Sequence, residues 1–170
     1  MNHEQELAFE SFVAAHGTAL LRTAYLLTGH RQAAEDLLAT ALERTARRWP
    51  RVLDRERPEA YVRVVLTNLS TDRWRRLARR PVRPLTASDE RRGIAPDLAA
   101  AAASRDLTSR LLRELPPRQR AVLVLRYFDD LPEADIAAAL GCSVGTVKSQ
   151  LSRGLARLRS SDHLSEEIRP

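Results

Sequence analysis

LPEADIAAALGCSVGTVKSQLSRGLARLR, residues 131–159, reads as a helix, a tight turn and a second helix. Pro132 suits the first turn of a helix, where a missing N–H costs nothing. Ile136, Ala137 and Leu140 recur at the three-to-four spacing of one buried face. Gly141 stands where a helix commonly ends in a left-handed residue, a conformation that only glycine adopts cheaply. Ser143 is a good N-cap for the helix that follows. In that helix Val144, Val147, Leu151, Leu155 and Leu158 form one inward stripe. The opposite face carries Gly145, Thr146, Ser149, Gln150, Ser152 and Arg153, with Lys148 at its flank. A plain helical hairpin with its polar face in water would show the same periodicity. Two details favour a helix-turn-helix in a DNA major groove: the outer face is free of Glu, and the turn is short and marked by glycine.

The composition narrows the field. A chain of 170 residues has room for one domain or two small ones. Its 44% apolar and 29% charged residues are those of a globular protein. No run of eighteen apolar residues and no charged-then-apolar N-terminus occurs, so neither a membrane span nor a signal peptide is expected. The single cysteine, Cys142, excludes an internal disulfide and a cysteine zinc cluster, and reads as a small packing residue. His3, His16, His30 and His163 lack ligand spacing, so no metal or other cofactor is expected. A reducing cytoplasm fits all of this.

The net charge of +6 is unevenly placed. Residues 1–60 carry eight Arg against nine acids, residues 61–92 nine Arg against three, and residues 93–170 eleven bases against ten acids. The excess therefore sits in the middle stretch, which points to a second nucleic-acid surface away from the helix-turn-helix.

Working back from there, residues 4–27 show a broad helical stripe of Leu7, Phe9, Phe12, Val13, Leu20, Leu21, Ala24, Tyr25 and Leu27, broken by Thr28 and Gly29. A second helix is predicted over 31–48, with Ala34, Leu37, Leu38, Ala41, Leu42 and Thr45 inward. Glu35, Asp36 and Glu43 lie outside, either paired at i,i+4 with Arg31, Arg47 and Arg48 or forming a docking face. Pro50 is expected to end that helix, leaving 51–58 as a charged loop. Pro58 opens a third helix running to about Arg79, with Tyr61, Val62, Val65, Leu66, Leu69 and Leu77 inward. Arg63, Asn68, Asp72, Arg73, Trp74, Arg75 and Arg76 collect on its other face. Arginines interleaved with an aromatic ring and an amide suit nucleic acid, because charges neutralise phosphates while planar groups stack on bases; a solubilising face is the alternative. Residues 81–104, punctuated by Pro81, Pro84, Gly93 and Pro96, read as a flexible linker, with a helix resuming near 97–104. Leu107, Leu111, Leu112 and Leu115 lead to Pro116–Pro117, and a further helix is expected to pack Val122, Leu123, Leu125, Tyr127 and Phe128 against the helix-turn-helix.

Two blocks carry a family resemblance. LPPRQRAVLVLRYFDDLPEADIAAALGCSVGTVKSQLSRGLARLR, residues 115–159, resembles region 4 of bacterial RNA polymerase sigma factors of the extracytoplasmic-function group, sigma-70 family. AAEDLLATALERTARRW (33–49) followed by RPEAYVRVVLTNLSTDRWRR (57–76) resembles region 2 of the same family. The whole looks like the two-domain minimum of that group, and most like its actinobacterial SigE-type branch. The resemblance implies an all-α protein: region 2 over 1–80 with three to four helices, the linker over 81–104, a four-helix region 4 over 105–160, and a tail at 161–170.

The resemblance also implies roles. Glu35, Asp36, Leu38 and Leu42 would dock on the β′ coiled coil of core RNA polymerase, and region 4 would meet the β flap. The loop 51–58, with Arg57, would help capture a flipped base of the minus-10 element. Asn68, Asp72, Arg73, Trp74, Arg75 and Arg76 would lie along the opening DNA. Ser143, Thr146, Lys148, Ser149, Gln150 and Arg153 would read the minus-35 element. Promoter DNA and core polymerase are the implied partners, and an anti-sigma factor is the expected inhibitor. The chain departs from many relatives at Ala33, Ala39 and Thr40, in the polymerase-docking helix, and at Gln150, where many carry Arg. Gln pairs bidentately with adenine, whereas Arg favours guanine. No nucleophile–base pair or phosphate-cradling loop is present, so no enzymatic activity is expected. A stand-alone helix-turn-helix regulator, with residues 1–80 as a sensor or dimerisation unit, is the competing reading.

Overall fold

The computed structural model describes residues 2–78 and 107–161, without the side chains of residues 74, 75, 77 and 78. All regular elements among the described residues are helices. They are α1 (His3–Thr28), α2 (Arg31–Ala46), α3 (Trp49–Leu53), α4 (Pro58–Ala78), α5 (107–113), α6 (Pro117–Tyr127), α7 (Glu133–Leu140) and α8 (Val144–Ser160). The expected linker, the helix near 97–104, the tail beyond Ser161 and the inward side chain of Leu77 lie outside the described residues.

Local chemistry sets the helix ends. Asn2 and Gln5 form a reciprocal capping box at the start of α1, at 2.9 and 3.1 Å. Gly29, at φ 76°, ends α1 in the left-handed region. Gly141, at φ 62°, does the same for α7, and the Cys142 N–H turns back to the Ala137 carbonyl at 3.0 Å. Ser143 caps α8 by accepting the Thr146 N–H at 3.1 Å.

Pro50 does not simply stop a helix. It stands in the first turn of α3, so the charged loop shrinks to residues 54–57. The reason is packing: Trp49 and Val52 are fully buried, and Trp49 meets the rings of Phe9 and Phe12 at 5.0 and 5.1 Å between centroids. Burial of one large aromatic side chain holds this short helix in place, since five residues are too few to be helical unaided.

α1, α2 and α4 pack around α3, while α6, α7 and α8 form the second group. The two groups also pack on each other, α1 and α4 against α6 and α4 against α7. Their buried apolar residues form one continuous cluster, from Phe12 and Leu20 through Leu66 and Val124 to Val147 and Leu151. The helix-turn-helix stripe is as expected at Val147 and Leu151, and Leu155 and Leu158 are half-buried. Val144, at the start of α8, is exposed. Tyr127 and Phe128 are not inward: they are 58% and 40% exposed where α6 runs out, as is Leu7 in the first turns of α1. Gly154 is buried instead, because α6 passes so close that a Cβ there would stand 2.9 Å from Leu123 Cδ1.

Candidate nucleic-acid interface

On α8 the expected DNA face is continuous. Lys148, Ser149 and Arg153 are exposed, with Gln150 half-buried beside them. Ser143 and Thr146 stand at its N-terminal end, their hydroxyls 2.9 Å apart. Their first duty is the cap, while Ser149 donates to the Gly145 carbonyl at 3.1 Å. Lys148 Nζ lies 3.8 Å from a Glu133 carboxylate oxygen, an exposed pair that is readily exchanged for a phosphate. A helix N-terminus with small side chains and two cations can approach a groove closely, and its dipole favours phosphate.

The second surface lies between α2 and α4. A groove there is floored by Leu37, Val65 and Leu69 and walled by Arg44, Arg47, Arg48, Arg73 and Arg76, with Asp36 and Asp72 as its acids. Asn68 and Tyr61 stand toward one end and Arg73 and Arg76 toward the other. Five cations against two carboxylates make this a phosphate-attracting channel with an apolar floor. Arg73, Arg76, Asp72 and Asn68 are thereby brought to one helix face. Trp74 and Arg75 belong to α4, and their side chains lie outside the described residues. Arg57, in the loop before α4, is exposed and pairs with Glu59 at 3.2 Å. Its neighbour Arg55 lies over the Tyr61 ring at 5.0 Å.

Arg44, Arg47 and Arg48 line this groove without standing out in the sequence, where Arg47 and Arg48 suit equally well as partners for the acids of α2. Only Arg47 does this directly, to Glu43 at 2.6 Å. Their shared i, i+3, i+4 face was the available signal.

The proposed polymerase-docking residues do not form one patch. Glu35, Leu38 and Leu42 share a face of α2, with Glu35 held by Arg31 at 2.8 Å, a pairing that raises the Arg31 pKa. Asp36 is turned a quarter of the way round, toward α4, where it lines the groove. Arg63 also leaves its expected place. It faces α6, 3.0 Å from Asp129, because that side of α4 is covered by the second helix group.

Polar groups buried between the groups complete the picture. Arg120 is 2% exposed and donates to four carbonyls: Leu112 at 2.8 Å, Leu27 at 2.9 Å, Arg113 at 3.0 Å and Leu115 at 3.2 Å. Burial, helped by the charge of Arg113, brings its pKa down to about 10, so it stays cationic. Asp129 is 6% exposed, and burial raises its pKa against the opposing pull of Thr23, Arg63 and Arg22. Among the described residues no group of His, Cys, Asp and Glu could hold a metal ion, and no helix is long and apolar enough to cross a membrane.

Comparison with known proteins finds a family match for each helix group. Residues 12–80 match Sigma-70 region 2, and residues 105–158 match Sigma-70, region 4. The chain is 41% identical over 161 residues to the RNA polymerase sigma-E factor of Streptomyces avermitilis, covering 94% of this chain and 87% of that one. It is 36% identical over 150 residues to the ECF RNA polymerase sigma factor SigL of Mycobacterium tuberculosis, covering 85% and 82%. Among solved structures, it resembles the sigma factor RpoE of Bartonella quintana in complex with the anti-sigma factor NepR, at a TM-score of 0.64 and 24% identity, covering 95% and 99%. CnrH in complex with the cytosolic domain of CnrY gives a TM-score of 0.61 at 23% identity, covering 96% and 91%. At those identities the two structures speak to the fold alone.

Proposed function

The chain belongs to the sigma-70 family as an RNA polymerase sigma factor of the extracytoplasmic-function type, and from that membership we propose how its surfaces divide the work of starting transcription. The outer face of α8, with Thr146, Lys148, Ser149, Gln150 and Arg153, reads the minus-35 duplex. The α2–α4 groove and Arg57 take the minus-10 strand as it unstacks, with Asn68, Asp72, Arg73, Trp74, Arg75 and Arg76 along it. A protein that helps melt duplex must hold an unstacked strand, and a basic channel with an apolar floor offsets what unstacking costs. Glu35, Leu38 and Leu42 dock on the β′ coiled coil, and region 4 meets the β flap. The chain supplies specificity inside the cell, and the polymerase performs the phosphoryl transfer. An anti-sigma factor is its proposed inhibitor, by analogy with the sigma factor RpoE solved in complex with the anti-sigma factor NepR.

The observation that supports this division is the presence, on one chain, of a polar helix-turn-helix face and a separate five-arginine groove. A stand-alone operator-binding protein has no use for the second. The test is promoter opening by the reconstituted holoenzyme, followed by permanganate reactivity of unpaired thymines. Arg73→Ala with Arg76→Ala should abolish opening while core polymerase still co-purifies. Opening at the unaltered level would sink the assignment of the groove.

A further inference from the structure

The helix α8 carries no acid of its own, yet α7 lays one beside its outer face. Glu133 stands in the first turn of α7, and one of its carboxylate oxygens lies 3.8 Å from Lys148 Nζ on α8. In a helix-turn-helix the first helix crosses the phosphate backbone while the second enters the groove. A carboxylate on that first helix, at the flank of the second, opposes the phosphates it would meet. The dipole of α7 does favour an acid in its first turn, but Asp135 stands there too. Positions i and i+2 point to different sides of a helix, and Glu133 is the one turned to Lys148.

The character of the pair matters as much as its place. Lys148 is the single lysine among 28 basic residues. An arginine there could close on the carboxylate with two parallel N–H···O bonds. At 3.8 Å the ammonium makes a charge contact without hydrogen-bond geometry. The lysine side chain is 66% exposed and the glutamate side chain 32%. The acid is therefore seated against the protein, while the lysine can leave it at little cost.

We propose, resting on the reading of α8 as the minus-35 helix, that Glu133 sets DNA discrimination by competing with phosphate for Lys148. On duplex of arbitrary sequence α8 sits loosely, and its phosphates approach at varied distances, screened by salt beyond about 8 Å. The carboxylate, already at 3.8 Å, keeps the lysine. On the right element, base contacts from Thr146, Ser149 and Gln150 seat the helix in one register, which holds a phosphate close enough to take Lys148 over. Non-specific binding is nearly all phosphate contact, and Glu133 removes one such contact from it. The chain gives up some affinity for every duplex and gains selectivity for the one that fits.

Anisotropy of a fluorescent random-sequence duplex, titrated with the full chain over a salt series, counts phosphate contacts from the slope of log affinity against log salt. Glu133→Gln should steepen that slope by about 0.9, the value of one further phosphate contact. It should also raise affinity at low salt by about two- to fivefold. Adding Lys148→Met should cancel the whole gain. Asp135→Asn makes the same change in charge and in the first turn of α7, and should leave the slope where it is. On a duplex carrying the upstream element shared by the chain's own run-off transcripts, Glu133→Gln should not steepen the slope, so the promoter-to-random affinity ratio falls. An unmoved random-duplex slope with Glu133→Gln overturns the proposal, as does a gain that survives Lys148→Met, which would make Glu133 a plain repulsive charge. Arg153→Ala, five residues further along the same exposed face, reports on the reading of α8 itself. Duplex binding indifferent to it fails that reading and the competition together, whereas binding weakened by it but unmoved by Glu133→Gln fails the competition alone.

Discussion

Arg120→Met leaves most of the stem in place and removes every donor from a guanidinium that serves four carbonyls. Hydrogen bonds to a charged group contribute about 1.5–3 kcal/mol each, so a plain sum would reach about 6–12 kcal/mol. That sum is too large, because removing the cation also returns the several kcal/mol spent on its desolvation. Of the four carbonyls, the Arg113 one is only partly buried, and water can take over its bond. Those of Leu112, Leu115 and Leu27 are left without their donor in a buried setting. Breaking a buried charged network of this kind costs about 3–5 kcal/mol. In a chain of this length that is a fall in Tm of very roughly 10 °C. Urea denaturation should show the midpoint falling with an unchanged slope. Arg120→Lys, which cannot reach four acceptors from one point, should fall between the two. A loss under about 1 kcal/mol for Arg120→Met, or a lysine variant as stable as the parent, would refute the reasoning.

Other expectations follow from single positions. Gly29→Ala and Gly141→Ala both force a left-handed alanine, a cost of about 1–2 kcal/mol each. Gly29→Ala should cost measurably more in thermal denaturation, because the Arg113 stem occupies its Cβ space and nothing lies near Gly141. Ser143→Ala should remove about 1 kcal/mol from the stability of the α8 group, seen as faster amide exchange in the first turn of α8. Asp129 has a raised folded-state pKa, so its contribution is fully present below the unfolded carboxylate value of about 3.9 and is lost as pH rises through the folded value. The stability of the parent relative to Asp129→Asn should therefore improve as pH falls through that window, and a difference that is flat with pH would contradict the burial argument.

What could be read from the sequence was local. Gly141, Ser143 and the Val147–Leu151 stripe are set by short-range rules, so the helix-turn-helix could be placed to the residue. The arginine concentration at 61–92 points to a second surface, although three of the five arginines that wall the groove, Arg44, Arg47 and Arg48, come from the end of α2 and the turn after it, where their spacing also fits surface pairing. Asp129 and Arg120 look like ordinary surface charges in FDDLPE and PPRQR. Their burial depends on Thr23 and Leu27, 106 and 93 residues away, and no periodicity encodes that. Tyr127 and Phe128 erred in the opposite sense: continuing the α6 pattern places them inward, but α6 ends at Tyr127 and a left-handed Asp130 at φ 52° redirects the chain. α3 is not legible in the sequence because a proline suits a helix's first turn as well as the position that stops one.

The measurement that bears most directly on the account is run-off transcription with bacterial core RNA polymerase, the purified chain and sheared genomic DNA. The account predicts that the chain co-purifies with core polymerase and yields a discrete set of new transcripts, whose upstream sequences share two spaced elements. Transcripts should vanish with Arg73→Ala and Arg76→Ala. A chain that ignores core polymerase, yet shifts duplex DNA by itself as a dimer, would contradict the account.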